Sequence, residues 1–362
     1  MFINVLDFLI VKIESPPKKH LDYLNSEFQV INKDNSDIAE DIRIVFRDDL
    51  TMSKESVIVD APIGYDSNGS FWFDPSHNIA RLNFSEFDED VLELTCSVDF
   101  SENFLYFLII YLLSFKMVLH DGHFIHASVV EYKRKVIMFP AWRHSGKTNL
   151  MLELVEKGAK IIADDNVFIF NDGKILPYLK KTHLLYYNII EFPYLLDIID
   201  PDTRNLYDFV KNIERGEGDF DPLIVDEVRS HIRSKVSNKA LSSANLKYQL
   251  KEVDYVIHLN RLAGIKPNHI DFEKISKEKI VNKISETSKF ELSYFYAAYN
   301  VHCLCGKNEA KYFLDIDEKI TSIFHNAFKK IGSLYELSFY GGMNHEVCSK
   351  LIDDLIESKT NC

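Results

Sequence analysis

The sequence predicts an α/β protein built round one phosphate-binding loop, and three observations over 136–165 carry that prediction. Val136-Ile137-Met138-Phe139 is a short apolar run of the kind that forms a buried parallel strand. Pro140-Ala141-Trp142-Arg143-His144-Ser145-Gly146-Lys147-Thr148 then makes a tight loop ending in Gly-Lys-Thr, and 149–157 follows with apolar residues at helical spacing. Ile161-Ile162-Ala163 reads as the next strand, and it ends in Asp164-Asp165.

Each of these segments has a physical reason. Leu150, Met151, Leu152, Leu154 and Val155 give the helix one face for a sheet, and Gly158 stands where a helix stops on a left-handed residue. In a loop of this kind the backbone N–H groups and the helix N-terminus point at anionic oxygens, a lysine reaches the outer phosphates and a hydroxyl faces Mg²⁺. Residues 141–148 are therefore the candidate phosphate-binding residues, with Lys147 on phosphate and Thr148 on the metal. The usual pattern has glycine where this chain has Ala141, and alanine resists backbone conformations that glycine adopts freely. Weaker phosphate binding is the expected consequence. An aspartate pair at a strand end is by itself a common turn or helix cap, but behind such a loop it lies at the sheet edge where open α/β folds bind ligands.

Ile125-His126-Ala127, Lys147-Thr148 and Ala163-Asp164-Asp165-Asn166-Val167 together resemble the catalytic domain of HPr kinase/phosphorylase and its wider relatives. That family shares a phosphate-binding fold with phosphoenolpyruvate carboxykinase. The resemblance covers 126–170 and more loosely 179–192. It implies an HPr kinase-like P-loop domain with a mixed sheet, ATP or another nucleoside triphosphate as donor, and Mg²⁺. By position it makes Asp165 the proton acceptor, Lys147 a phosphate ligand, Thr148 and Asp164 the metal's holders, and His126 a member of the catalytic cluster. Homo-oligomerisation would fit the family. The glutamate-containing signature and arginine-rich loop found further along in that family are not recognisable here, so HPr itself is not the expected acceptor.

The chemistry points the same way independently. Phosphoryl transfer needs positioning, charge neutralisation and a base near the attacking hydroxyl. Adjacent carboxylates divide that labour, one ionised beside a cation and the other accepting a proton. His126, within an apolar β-rich run, reads either as a member of that cluster or as a hydrogen-bonded core histidine.

From the start of the chain, 1–100 is expected to be a small β-rich domain with no visible chemistry, its opening run 1–11 a strand rather than a signal peptide. Turn signals stand at Asp34-Asn35, Asp66-Ser67-Asn68-Gly69 and Asp74-Pro75-Ser76, and the last predicts a hairpin joining 71–73 to 79–84. The apolar run 105–113 has about half the length of a membrane span, so 102–119 reads as a buried helix. Asn171-Asp172-Gly173-Lys174 is a hairpin turn, 182–188 a strand, and His183 and Glu191 read as surface residues. A charged helical insertion is expected over 195–250, with a break at Gly216-Glu217-Gly218-Asp219 and an amphipathic piece over 226–235. Residues 253–261 read as a buried strand ending in Arg261, a second candidate for neutralising phosphate. Helices over 274–282, 291–298, 317–330 and 345–356, with a strand over 335–340, complete the second domain, 101–362.

A formal charge of −13 argues against a nucleic-acid surface, and the apolar content is ample for a core. The five cysteines show no zinc spacing and read as free thiols of a cytoplasmic protein. The function expected is a Mg²⁺-dependent nucleotide kinase acting on a hydroxyl of a protein, peptide or small molecule. The alternatives are a nucleotide-sensing or peptide-binding module that has lost transfer, and a carboxykinase-like reaction, for which no second metal cluster is visible.

Overall fold

The computed structural model describes residues 2–5, 9–28, 39–60, 62–87, 89–178, 180–215, 221–242, 249–262, 269–305, 315–340 and 343–360. It is a mixed α/β protein of two compact units, and the chain passes between them several times: Met1–Ile125, Phe168–Leu179 and Ser276–Lys330 form one, His126–Val167, Lys180–Ile275 and Ile331–Cys362 the other. The expected boundary at residue 100 is not where compactness divides the chain. Helices late in the sequence pack with the early strands because their aromatic faces complete that core, a non-local pairing that leaves no local trace.

In the first unit eight strands form one sheet, in the order Phe2–Val5, Leu9–Glu14, Ile42–Arg47, Leu92–Ser97, Ile79–Leu82, Gly69–Phe73, Ile63–Asp66, Val57–Asp60. The β-rich expectation for this part of the chain agrees with that sheet. It misses a helix, Lys18–Glu27, which lies in sequence between the parallel strands Leu9–Glu14 and Ile42–Arg47. The opening run is two antiparallel strands, not one. The hairpin across Asp74 forms as its turn chemistry demands, with Asp74 Oδ1 accepting from the N–H groups of Ser76 (2.9 Å) and Asn78 (3.0 Å). Asp66 meets Gly69 in the neighbouring hairpin, where Gly69 takes φ +123°. The turn proposed at Asp34-Asn35 lies outside the described residues.

The apolar helix Glu102–Lys116 starts on Ser101, whose hydroxyl oxygen accepts from the Phe104 N–H. With the turn Met117–His120 it makes a segment long and apolar enough to cross a membrane, longer than the run of 105–113 suggests, and 72% of it is buried inside the protein. Its partners explain the burial. Phe295, from helix Ser293–Cys305, stacks on Phe115 at 4.6 Å and also meets Trp72 and Phe84. Helices Lys277–Glu291, Ser293–Cys305 and Ile316–Ile331 are longer than their apolar spacing predicted. The hairpin turn at 171–174 forms as expected, with Gly173 at φ +84°.

The second unit holds a mixed sheet. Strand Lys135–Pro140 runs antiparallel to Gly122–Tyr132, which belongs to this unit from His126 onward, and parallel to Tyr255–Leu262. Leu334–Tyr340 lies parallel to Tyr255–Leu262, and Ile270–Lys274 closes the far edge antiparallel. On the other side of Gly122–Tyr132, Lys160–Ala163 pairs antiparallel. Helices Lys147–Glu156 and His345–Thr360 contribute Leu150, Met151, Leu154, Cys348 and Ile352 to one core with Ile137, Phe139, Ile257 and Leu337.

The insertion is less uniform than expected. Helices Pro201–Glu214 and Pro222–His231 bury Tyr207, Val210 and Val225 in that same core. The piece expected to be amphipathic over 226–235 ends its helix at His231, and Arg233–Val236 is instead a strand paired with Thr182–Leu185. The strand expected over 182–188 likewise stops early. Asn188 accepts the Leu185 N–H at 2.7 Å through its side chain, which turns the chain into helix Tyr186–Glu191. The break proposed at 216–219 and the Gly341-Gly342 pair lie outside the described residues.

Candidate functional site

The loop begins where its strand ends. Ala141 makes an isolated parallel bridge to Leu259 and donates its N–H to His126 O at 3.2 Å. It is not among the residues with positive φ. The conformational objection to alanine therefore does not arise here, because the position is extended backbone that any residue adopts. The left-handed positions of the loop fall later, at His144 (φ +57°) and Gly146 (φ +78°). Trp142, Arg143 and His144 are exposed, whereas Ser145 and Lys147 are buried. Arg261, from the end of its strand, reaches the loop with Nη1 3.4 Å from His144 O.

Gly146 precedes helix Lys147–Glu156 with no side chain capping it. The first-turn amides of a helix lack intrahelical acceptors and carry the positive end of the dipole, which suits an anion. Lys147 folds back so that Nζ donates to Trp142 O at 3.3 Å. Gly146→Ala is expected to cost about 1–2 kcal/mol of stability, the penalty of a left-handed residue with a Cβ. The nearest atom to a Cβ at this position is the flexible Met343 Cε, at 3.1 Å, so the backbone conformation should dominate. An unchanged melting temperature would show that the loop is not held at this φ.

Asp164 and Asp165 form the corner between strands Lys160–Ala163 and Asn166–Phe170. The Asn166 N–H donates to Asp164 O at 2.8 Å, closing a three-residue turn over Asp165 at φ +67°. A non-glycine residue held in that region points to a site whose surroundings over-determine it. The two side chains then part company. Asp164 is buried, accepts from Ser128 Oγ at 2.7 Å, and lies 3.3 Å from Thr148 Oγ1. Burial first, and then the neighbouring charge of Asp165, push its carboxyl up. Asp165 keeps 34% of its side chain exposed. Its Oδ1 is 3.3 Å from His126 Nε2, and its Oδ2 accepts from Lys180 Nζ at 2.9 Å. Burial opposes its ionisation, but Lys180, then His126 and Lys147, outweigh it and hold the carboxyl well below the usual range.

Thr148 thus meets Asp164 and His126 meets Asp165, with Lys147 near enough for its charge to act on the Asp165 carboxyl. Sequence reasoning missed two parts of the arrangement, Ser128 and Lys180. Ser128 stands two residues after His126 on one strand, and the two-residue period sends both to the same side, toward Asp164 and Asp165 respectively. That signal was readable. Lys180 had no local signal. Glu191 is exposed, as a surface residue is, and it accepts from Asn149 Nδ2 of the loop helix (2.7 Å) and pairs with His345 Nε2 (3.0 Å). Asn188 also donates to Asn149. Tyr187, half exposed, has its phenol pushed up by burial and then by the charges of Asp165 and Asp164. His183, by contrast, is half-buried on its strand.

Among the described residues no group of three or more His, Cys, Asp or Glu side chains is arranged to hold a metal. A Mg²⁺ ion needs less from the protein, since it keeps waters and is commonly bound by one or two side chains together with substrate phosphates. The Thr148 hydroxyl beside the Asp164 carboxylate fits that description. Compared with known proteins, the chain matches no protein family, and no curated protein is significantly similar to it. Fold and site together define a mixed α/β protein with a glycine-lysine-threonine loop facing an aspartate corner.

Proposed function

We propose that the chain is an HPr kinase-like, nucleotide- and Mg²⁺-dependent kinase that transfers a phosphoryl group to a hydroxyl. The observation that carries this reading is the meeting of the loop with the aspartate corner, Thr148 Oγ1 lying 3.3 Å from Asp164 Oδ1. Loop amides and Lys147 bind the phosphates of ATP or a related nucleotide. Thr148 and Asp164 hold Mg²⁺, which supplies charge neutralisation on the phosphate oxygens when bound. Asp165, ionised and partly exposed, faces the acceptor. The acceptor oxygen forms the new bond to phosphorus, the bond to the bridging oxygen breaks, the nucleoside diphosphate leaves and Asp165 takes the proton. His126 orients that carboxylate. Arg261 and Arg143, at the loop, add positive charge near the phosphates. The acceptor is a serine of a protein or peptide, or a small metabolite.

Calorimetry of Mg²⁺·ATP on the wild type and on Lys147→Ala tests the first half of the reading. Losing charge-assisted hydrogen bonds of this kind is expected to weaken binding about 10–100-fold. Because Lys147 is buried, Thr148→Val serves as a milder second variant that exchanges only the hydroxyl for a methyl. A wild type that binds no nucleotide and no pyrophosphate sinks the kinase reading.

A further inference from the structure

We propose that Lys180 is a positioning residue for Asp165, holding its carboxylate in the orientation from which it accepts the acceptor's proton; this rests on the kinase reading. The two oxygens of Asp165 are held from two directions, Oδ1 by His126 Nε2 at 3.3 Å and Oδ2 by Lys180 Nζ at 2.9 Å. One contact leaves a carboxylate free to swing about its χ angles, whereas two fix its plane. A carboxylate has about four lone-pair sites, so both contacts together still leave acceptor capacity for a hydroxyl. The exposures set the direction. Lys180 keeps only 11% of its side chain exposed against 34% for Asp165, so the ammonium backs the carboxylate while the carboxylate meets solvent.

The backbone carrying Lys180 is anchored for that task. Two residues on, strand Thr182–Leu185 pairs with Arg233–Val236, and the fully buried Thr182 donates to Asn238 Oδ1 at 3.2 Å. A long lysine side chain is costly to order and to bury, and placing it against a carboxylate in a strained corner is what a support for a functional group requires.

The test compares Lys180→Met, which keeps the stem and removes the ammonium, with Lys180→Arg, which restores a cation. Lys180→Met is expected to lower kcat for phosphoryl transfer, or for ATP turnover by water, about 100-fold, the effect of misplacing a reacting group by an ångström or so. Nucleotide Kd should stay within about threefold and Lys180→Arg should recover most of kcat. In a crystal structure of Lys180→Met, Asp165 should leave its rotamer. Wild-type kcat in Lys180→Met overturns the proposal, as does a Kd lost in step with kcat, which would make Lys180 a phosphate ligand. Should the wild type turn over neither acceptor nor water, the kinase reading alone falls. The rotamer then decides, and Asp165 unmoved in Lys180→Met overturns the positioning role.

Discussion

Asp165→Asn is expected to lower phosphoryl transfer about 10³-fold, within the range for losing a general base, while nucleotide affinity stays within about threefold. Asparagine is the right replacement because Asp165 sits at φ +67°, a region asparagine tolerates and alanine resists. It also keeps the shape of the side chain, with its one oxygen available to Lys180 or to His126. What it removes is the charge. The substitution leaves the Lys180 ammonium without its carboxylate, and a stability loss of about 1–2 kcal/mol is expected after discounting a buried pair for the partial exposure of Asp165. Melting temperature and nucleotide Kd must therefore be read beside kcat. Transfer at the wild-type rate in a folded variant would remove Asp165 as the base. A parallel loss of nucleotide binding would mean that the corner shapes the phosphate site rather than the proton transfer.

The second large effect concerns stability in acid and lies in the first unit. His123 is fully buried between the rings of Phe115 and Phe324. Its Nδ1 faces Ser114 O at 3.1 Å, and a carbonyl only accepts, so the proton sits on Nδ1. Nε2 then accepts from the Ser288 hydroxyl at 3.1 Å. Burial lowers the pKa from 6.5 to about 4. Between those values the unfolded chain binds more protons than the folded one, so stability rises with pH across the window and is lost as pH falls from 6.5 toward 4. The difference amounts to about 3 kcal/mol at 1.36 kcal/mol per unit. An NMR titration of the labelled imidazole is expected to show a neutral ring down to about pH 4, and His123→Gln should flatten the acid dependence of unfolding. A ring that titrates near its ordinary value, or equal acid sensitivity in the variant, would refute the assignment.

The loop, its helix and the aspartate corner were legible because their signals are local. A Gly-Lys-Thr ending, an apolar face at helical spacing and a strand running into two carboxylates are each written within a few residues, and pairing of both strands with Gly122–Tyr132 brings them near one another. Turns at Asp66, Asp74 and Asp172 were readable for the same reason, since aspartate side chains bond the backbone two residues on. The helix Tyr186–Glu191 was missed because Asn188, a residue that favours neither strand nor helix strongly, caps it by a single bond.

The sequence by itself determined the α/β class, and it marked the Gly-Lys-Thr loop and the carboxylate pair that meets it. Only the tertiary structure decided how the two carboxylates differ, Asp164 buried on Ser128 and Thr148 and Asp165 clamped between His126 and Lys180. It alone decided that helices beyond residue 276 belong with the early strands, and that Ala141 lies in extended backbone rather than in the strained part of the loop. Contacts between residues far apart in the chain arise from burial, which is non-directional and summed over a whole core. No window of sequence contains that sum.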